Sequence, residues 1–117
     1  MGQILEVQEK DIDVITAISG SGPAYLFYFA ESMIESAKSL GFSDDVSNKL
    51  VIATIDGAVK LLKKQNESPE SLRKKVTSPG GTTEAALQVM KEKGFKQCMV
   101  EAIEKAFNRS IELSRLM

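Results

Sequence analysis

The segment Asp13-Val14-Ile15-Thr16-Ala17-Ile18, followed by Gly20-Ser21-Gly22-Pro23-Ala24-Tyr25, decides whether this chain is all-helical or mixed. Its β-branched residues read locally as a strand. A strand, a glycine turn and a helix would together open a dinucleotide-binding unit. Three points exclude that unit. Tyr25 stands where a third glycine would permit close helix–strand packing, and Pro23 lacks an N–H for a pyrophosphate. No second strand with a ribose-binding acid follows. With nothing to pair against, Asp13 to Ile18 is expected to be helical. The glycine pair is then a helix break at which two helices pass closely.

Outward from that point the chain reads as helix after helix. Pro23 to Leu40 begins with proline in a first turn and stops before Gly41. Ser43 caps a second helix, with Asp44 and Asp45 in its first turn, running to about Gln65. Its apolar residues Val46, Leu50, Val51, Ile52, Ile55, Val59, Leu61 and Leu62 cover more than one face. In a chain of 117 residues, such a helix points to a partner subunit. Ser68-Pro69-Glu70 starts a short helix ending near Val76. Thr82 or Thr83 caps the next, which ends before Gly94. Phe95 to Leu116 completes the set, with Phe95, Met99, Ala102, Ile103, Ala106, Phe107 and Ile111 close to helical spacing. One domain over residues 1–117 is expected, with no internal repeat or linker to divide it.

Composition narrows the chemistry. Hydrophobic residues make up 43% and charged residues 26%, the balance of an ordinary globular domain. A net charge of −1 gives no general attraction to nucleic acid or a membrane surface. Lys60, Lys63, Lys64, Arg73, Lys74 and Lys75 read as solvated helix ends. Histidine is absent, which removes histidine-based catalysis and most zinc sites, and no metal is expected. Cys98 is the sole cysteine, so no internal disulfide forms. No apolar run approaches the roughly 18 residues of a membrane span. Met1 to Lys10 has neither region of a signal peptide. A cytoplasmic setting is expected.

The chemistry-bearing stretch is Val76-Thr77-Ser78-Pro79-Gly80-Gly81-Thr82-Thr83-Glu84-Ala85-Ala86. A proline and two glycines make a tight loop that runs into hydroxyl residues and a helix start. Free backbone N–H groups and the positive end of a helix dipole meet there, as a small anion requires. A phosphate loop is disfavoured, because the lysine of that motif is missing.

Ser19-Gly20-Ser21-Gly22-Pro23-Ala24-Tyr25, the Ser-Pro-Gly-Gly-Thr-Thr run and the later Arg109-Ser110-Ile111-Glu112-Leu113 stand in an order and separation of their own. Together they resemble the C-terminal domain of Δ1-pyrroline-5-carboxylate reductase, from about Glu6 to the end. The resemblance implies an all-α helical bundle of the 6-phosphogluconate dehydrogenase C-terminal-like type, interlocked as a homodimer and often built into a decamer. It implies reduction of pyrroline-5-carboxylate to L-proline, the last step of proline biosynthesis. NADPH or NADH would be bound mainly by an N-terminal Rossmann domain that this sequence does not contain.

By the same resemblance, backbone N–H groups around Gly80, Gly81, Thr82 and Thr83 hold the substrate carboxylate, with Ser78 nearby. The Thr83 hydroxyl reaches the ring nitrogen and is the expected catalytic group. Glu9 matches an acid near the substrate, and Asn66 stands where some relatives carry an acid that reaches the ligand. Lys75 would approach a cofactor phosphate. Tyr25, Phe27, Tyr28 and Phe29 are expected in the core or a dimer contact. On this reading the chain supplies the substrate half-site and the dimer interface and is expected to be inactive without its cofactor domain; the alternative is a pure oligomerisation scaffold with no ligand function.

Overall fold

The computed structural model describes residues 11–64 and 66–116, and every regular element among them is helical. In order these are α1 (Ile12–Ile15), a π-helical turn (Thr16–Gly20), α2 (Gly22–Ser39), α3 (Asp44–Lys64), α4 (Pro69–Lys75), α5 (Thr82–Glu92) and α6 (Phe95–Arg115). The segment from Asp13 to Ile18 is therefore helix, as its lack of a pairing strand requires. The expectation on Glu9 lies outside the described residues.

Helix ends follow local chemistry. At the end of α2, Gly41 takes φ +115°. The Phe42 N–H donates to the Ala37 carbonyl and the Gly41 N–H to that of Lys38, each at 3.1 Å. This left-handed stop closes the orphan carbonyls of the last turn. The Ser43 hydroxyl accepts from the Val46 N–H at 3.2 Å, and the Ser68 hydroxyl from the Ser71 N–H at 3.1 Å. Both serines cap as their positions predict. Ser68 also precedes Pro69 at the first helical position of α4.

Backbone packing separates the chain into two compact units. One joins the segment up to Leu26 with the segment from Gly94 onward, and the other is Phe27–Lys93.

In the first unit α1 and the π-turn pack on α6. Ala17 is 1% exposed and forms its centre. The Ser21 N–H donates to the Thr16 carbonyl at 2.8 Å, the five-residue spacing of a π-turn. Such a turn loosens its own carbonyls, and the Tyr25 hydroxyl donates to that of Ala17 at 2.8 Å. The glycine break is thus a widened turn locked from outside. Across the unit the Ser110 hydroxyl donates to Asp13 Oδ1 at 2.6 Å. That bond is partly buried and ties α1 to α6.

In Phe27–Lys93, Ser47 and Val51, one turn apart on α3, are buried. Much of the remaining apolar surface is open. Ile52 is 61% exposed and Tyr28 72%, with Phe27, Leu50, Leu61 and Leu62 also exposed. Phe27 and Tyr28 therefore do not enter a core within this chain.

Candidate functional site

The loop between α4 and α5 belongs wholly to the Phe27–Lys93 unit and is built from both ends. At the α4 end, Val76 closes the helix, and its N–H donates to the Arg73 carbonyl at 3.3 Å. The Thr77 N–H donates to the Lys74 carbonyl at 3.2 Å, and its hydroxyl to the Arg73 carbonyl at 2.6 Å. Ser78-Pro79-Gly80-Gly81 then turns the chain. The Gly81 N–H donates to the Ser78 carbonyl at 3.1 Å, and Gly80 takes φ +72°. Proline followed by a positive-φ glycine is the composition of a type II turn.

Gly81, in an extended conformation, is the N-cap of α5. The expectation that Thr82 or Thr83 caps the helix is corrected here: both lie inside its first turn. The reason is steric. Ser78 Oγ lies 2.7 Å from where a Gly81 Cβ would stand, and the Ser78 carbonyl oxygen 3.2 Å away. A side chain at the cap would press on Ser78, and the glycine that stands there provides no side-chain acceptor.

Glu84 supplies one instead. Its Oε1 accepts from the Gly80 N–H at 3.0 Å. This is the return half of a capping box, shifted one residue outward, the Gly81 N–H being engaged by the Ser78 carbonyl. The ladder of α5 opens with the Ala85 N–H on the Gly81 carbonyl at 3.2 Å.

The donors divide accordingly. The Gly80 and Gly81 N–H groups are engaged by Glu84 and Ser78. The N–H groups of Thr82, Thr83 and Glu84, in the first turn of α5, meet no acceptor among the described residues. They point out of the positive end of an 11-residue helix. Thr83 is half-buried, while Thr82 and Ser78 are exposed. The loop therefore brings Ser78, Gly80, Gly81, Thr82 and Thr83 into one turn, with Thr82 and Thr83 carrying the open donors.

Lys75 is held otherwise. Its Nζ pairs with Glu67 Oε1, which ties the end of α4 back to its start. The other Glu67 oxygen is buried. Asn66 is exposed in the connection from α3 to α4, beside Glu67. Glu84 and Glu67 are the residues that sequence reading missed. A glutamate at the third helical position signals the first; nothing local signals the second.

Among the described residues no cluster of histidine, cysteine, aspartate and glutamate is arranged to hold a metal. No helix among them is long and apolar enough to cross a membrane. Gly20-Ser21-Gly22 sits in the π-turn and the start of α2, without the strand that a dinucleotide cradle needs.

The family model for pyrroline-5-carboxylate reductase dimerisation matches residues 9–113. Pyrroline-5-carboxylate reductase 2 of Bacillus subtilis is 38% identical over 97% of this chain and 41% of its own length. The reductase of Corynebacterium melassecola is 41% identical over 98% of the chain and 43% of its own. The crystal structure of Plasmodium falciparum pyrroline carboxylate reductase with NADP bound matches with TM-score 0.89 and 40% identity. That match covers 93% of this chain and 44% of that one. The Streptococcus pyogenes enzyme gives TM-score 0.90 at 30% identity, covering 93% and 42%. The chain thus spans about two-fifths of the length of the relatives it matches.

Proposed function

The chain belongs to the pyrroline-5-carboxylate reductase dimerisation family, and on that premise we propose that it is the substrate-holding and dimer-forming part of such a reductase. The observation that carries the ligand half is the first turn of α5, whose N–H groups, behind a glycine turn, meet no acceptor among the described residues. Pyrroline-5-carboxylate has a carboxylate and, across the ring, an imine nitrogen. The Thr82 and Thr83 N–H groups receive the carboxylate, each charge-assisted bond being worth about 1.5–3 kcal/mol. The Ser78 hydroxyl completes the rim. The Thr83 hydroxyl donates to the ring nitrogen, orienting the imine carbon and polarising the C=N bond.

NADPH or NADH supplies the hydride in such an enzyme. The residues described here do not form its cradle: the glycine pair is helical, and Lys75 is paired with Glu67. The cofactor is assigned to parts of a reductase outside this sequence, and the chain by itself is inactive. A reducing cytosol suits the single thiol of Cys98.

The dimer half rests on the open apolar residues of α2 and α3, with Ile52 at 61% and Tyr28 at 72% exposure. Patches of this kind mark protein interfaces. A second copy of the chain is the occupant, and dimers assemble further toward a decamer.

Backbone-amide NMR titration with L-proline tests the ligand half. Shifts concentrated at Ser78 to Glu84 are expected. Thr83→Ala should weaken proline by about 10-fold, or about 1.4 kcal/mol. No shift at millimolar proline would leave the second reading, an assembly scaffold without ligand function, which the occupied Gly80 and Gly81 amides favour.

A further inference from the structure

We propose that Glu84 is a positioning residue for the substrate loop, acting through the Gly80 amide and not through the ligand. This rests on the ligand reading above. Three observations meet at this side chain. Glu84 Oε1 accepts from the Gly80 N–H at 3.0 Å. Gly80 holds φ +72°, a conformation that glycine adopts without preference over its alternatives, so some other contact must select it. The glycine cap beside it has no side chain of its own to hold the helix entry, and Ser78 Oγ crowds the space one would take.

The carboxylate does two things at once. It removes the Gly80 N–H from the set that faces an incoming anion, so the anion is steered to the Thr82 and Thr83 N–H groups. It also fixes the turn whose Ser78 carbonyl engages the Gly81 N–H at 3.1 Å, which keeps Ser78 at the rim. A glutamate at the third position of a helix is also favoured by the macrodipole. That contribution depends on charge, while the clamp depends on an acceptor oxygen. Glutamine separates the two, because its amide oxygen still accepts from Gly80.

The experiment follows water exchange of the Gly80 amide and proline affinity in this chain, in Glu84→Gln and in Glu84→Ala, both by NMR. In Glu84→Ala the Gly80 amide is expected to exchange at least 5-fold faster and proline to bind at least 5-fold more weakly. Glu84→Gln is expected to restore both to within 2-fold. Equal Gly80 exchange in all three proteins overturns the clamp, whatever proline does. Faster exchange in Glu84→Ala with unchanged proline affinity overturns the positioning role. A wild-type chain that binds no proline overturns the ligand reading and the positioning role with it, while the exchange rates still report whether the clamp exists.

Discussion

In the unit that contains α6, residues far apart in sequence meet: Ser110 donates to Asp13, and α1 and the π-turn lie against α6. In Phe27–Lys93 the side-chain bonds among described residues are local, the longest reaching from Lys75 back to Glu67. The first unit closes on a buried alanine and leaves Ile12, Ile18, Val100 and Leu116 open; the second buries Ser47 and Val51 and displays Phe27, Tyr28, Leu50, Ile52, Leu61 and Leu62. A helix gets most of its stability from packing an apolar face, and little from caps and propensity. One unit therefore finds part of that packing in long-range contacts within the chain. The other carries the candidate loop on helices whose apolar faces are open.

The comparison breaks most directly at Ile52. Ile52→Glu places a charge on the open face of α3 and is expected to weaken self-association by about 100-fold, on the order of 3 kcal/mol. Light scattering at micromolar concentration should show a halved mass. An unchanged mass would mean that the face is not the interface. Next comes the tertiary bond of the other unit. Ser110→Ala leaves the partly buried Asp13 carboxylate without its donor, at about 2 kcal/mol, read as a lower melting temperature. A loss under about 0.5 kcal/mol would show that this unit does not depend on the long-range tie.

Smaller effects probe the loop and the surface. Gly81→Ala sets a methyl 2.7 Å from Ser78 Oγ and 3.2 Å from the Ser78 carbonyl oxygen. The hydroxyl can rotate and the carbonyl must shift, for a cost of about 1 kcal/mol. Ser78→Gly added to it should recover part of that cost. Equal melting of the single and double variants would place the strain elsewhere. Least of all, Lys60→Ala removes the 2.8 Å pair with Asp56, both side chains being well exposed. A change of about 0.3–0.5 kcal/mol is expected from chemical denaturation.

Much of this fold was legible because helix ends are local chemistry. Ser43, Ser68, Gly41 and Gly94 mark boundaries that the structure reproduces within a residue or two. The decision for helix at Asp13 to Ile18 also held, though it rested on the absence of a partner strand. The π-turn was not legible, since it is a shift in hydrogen-bond register with no residue type of its own. At the loop, the residues were identified but their division of labour was not. The family resemblance implied that Gly80 and Gly81 donate to a ligand, and only the folded structure shows Glu84 and Ser78 engaging them. The Glu67–Lys75 pair spans a whole short helix, so no adjacent-residue pattern announces it.

The π-turn at Thr16–Gly20 has a consequence for insertions and deletions. It holds one residue more than an α-helical turn, and each residue rotates a helix by about 100°. Deleting Ser19 would let the turn relax to α-helical spacing, so the lost residue and the lost bulge nearly cancel in angular phase. Asp13 would stay close to its phase against Ser110, and the α1 surface packed on α6 would still face it. The π-turn thus absorbs a single-codon deletion that in a regular helix would turn everything before it by about 100°.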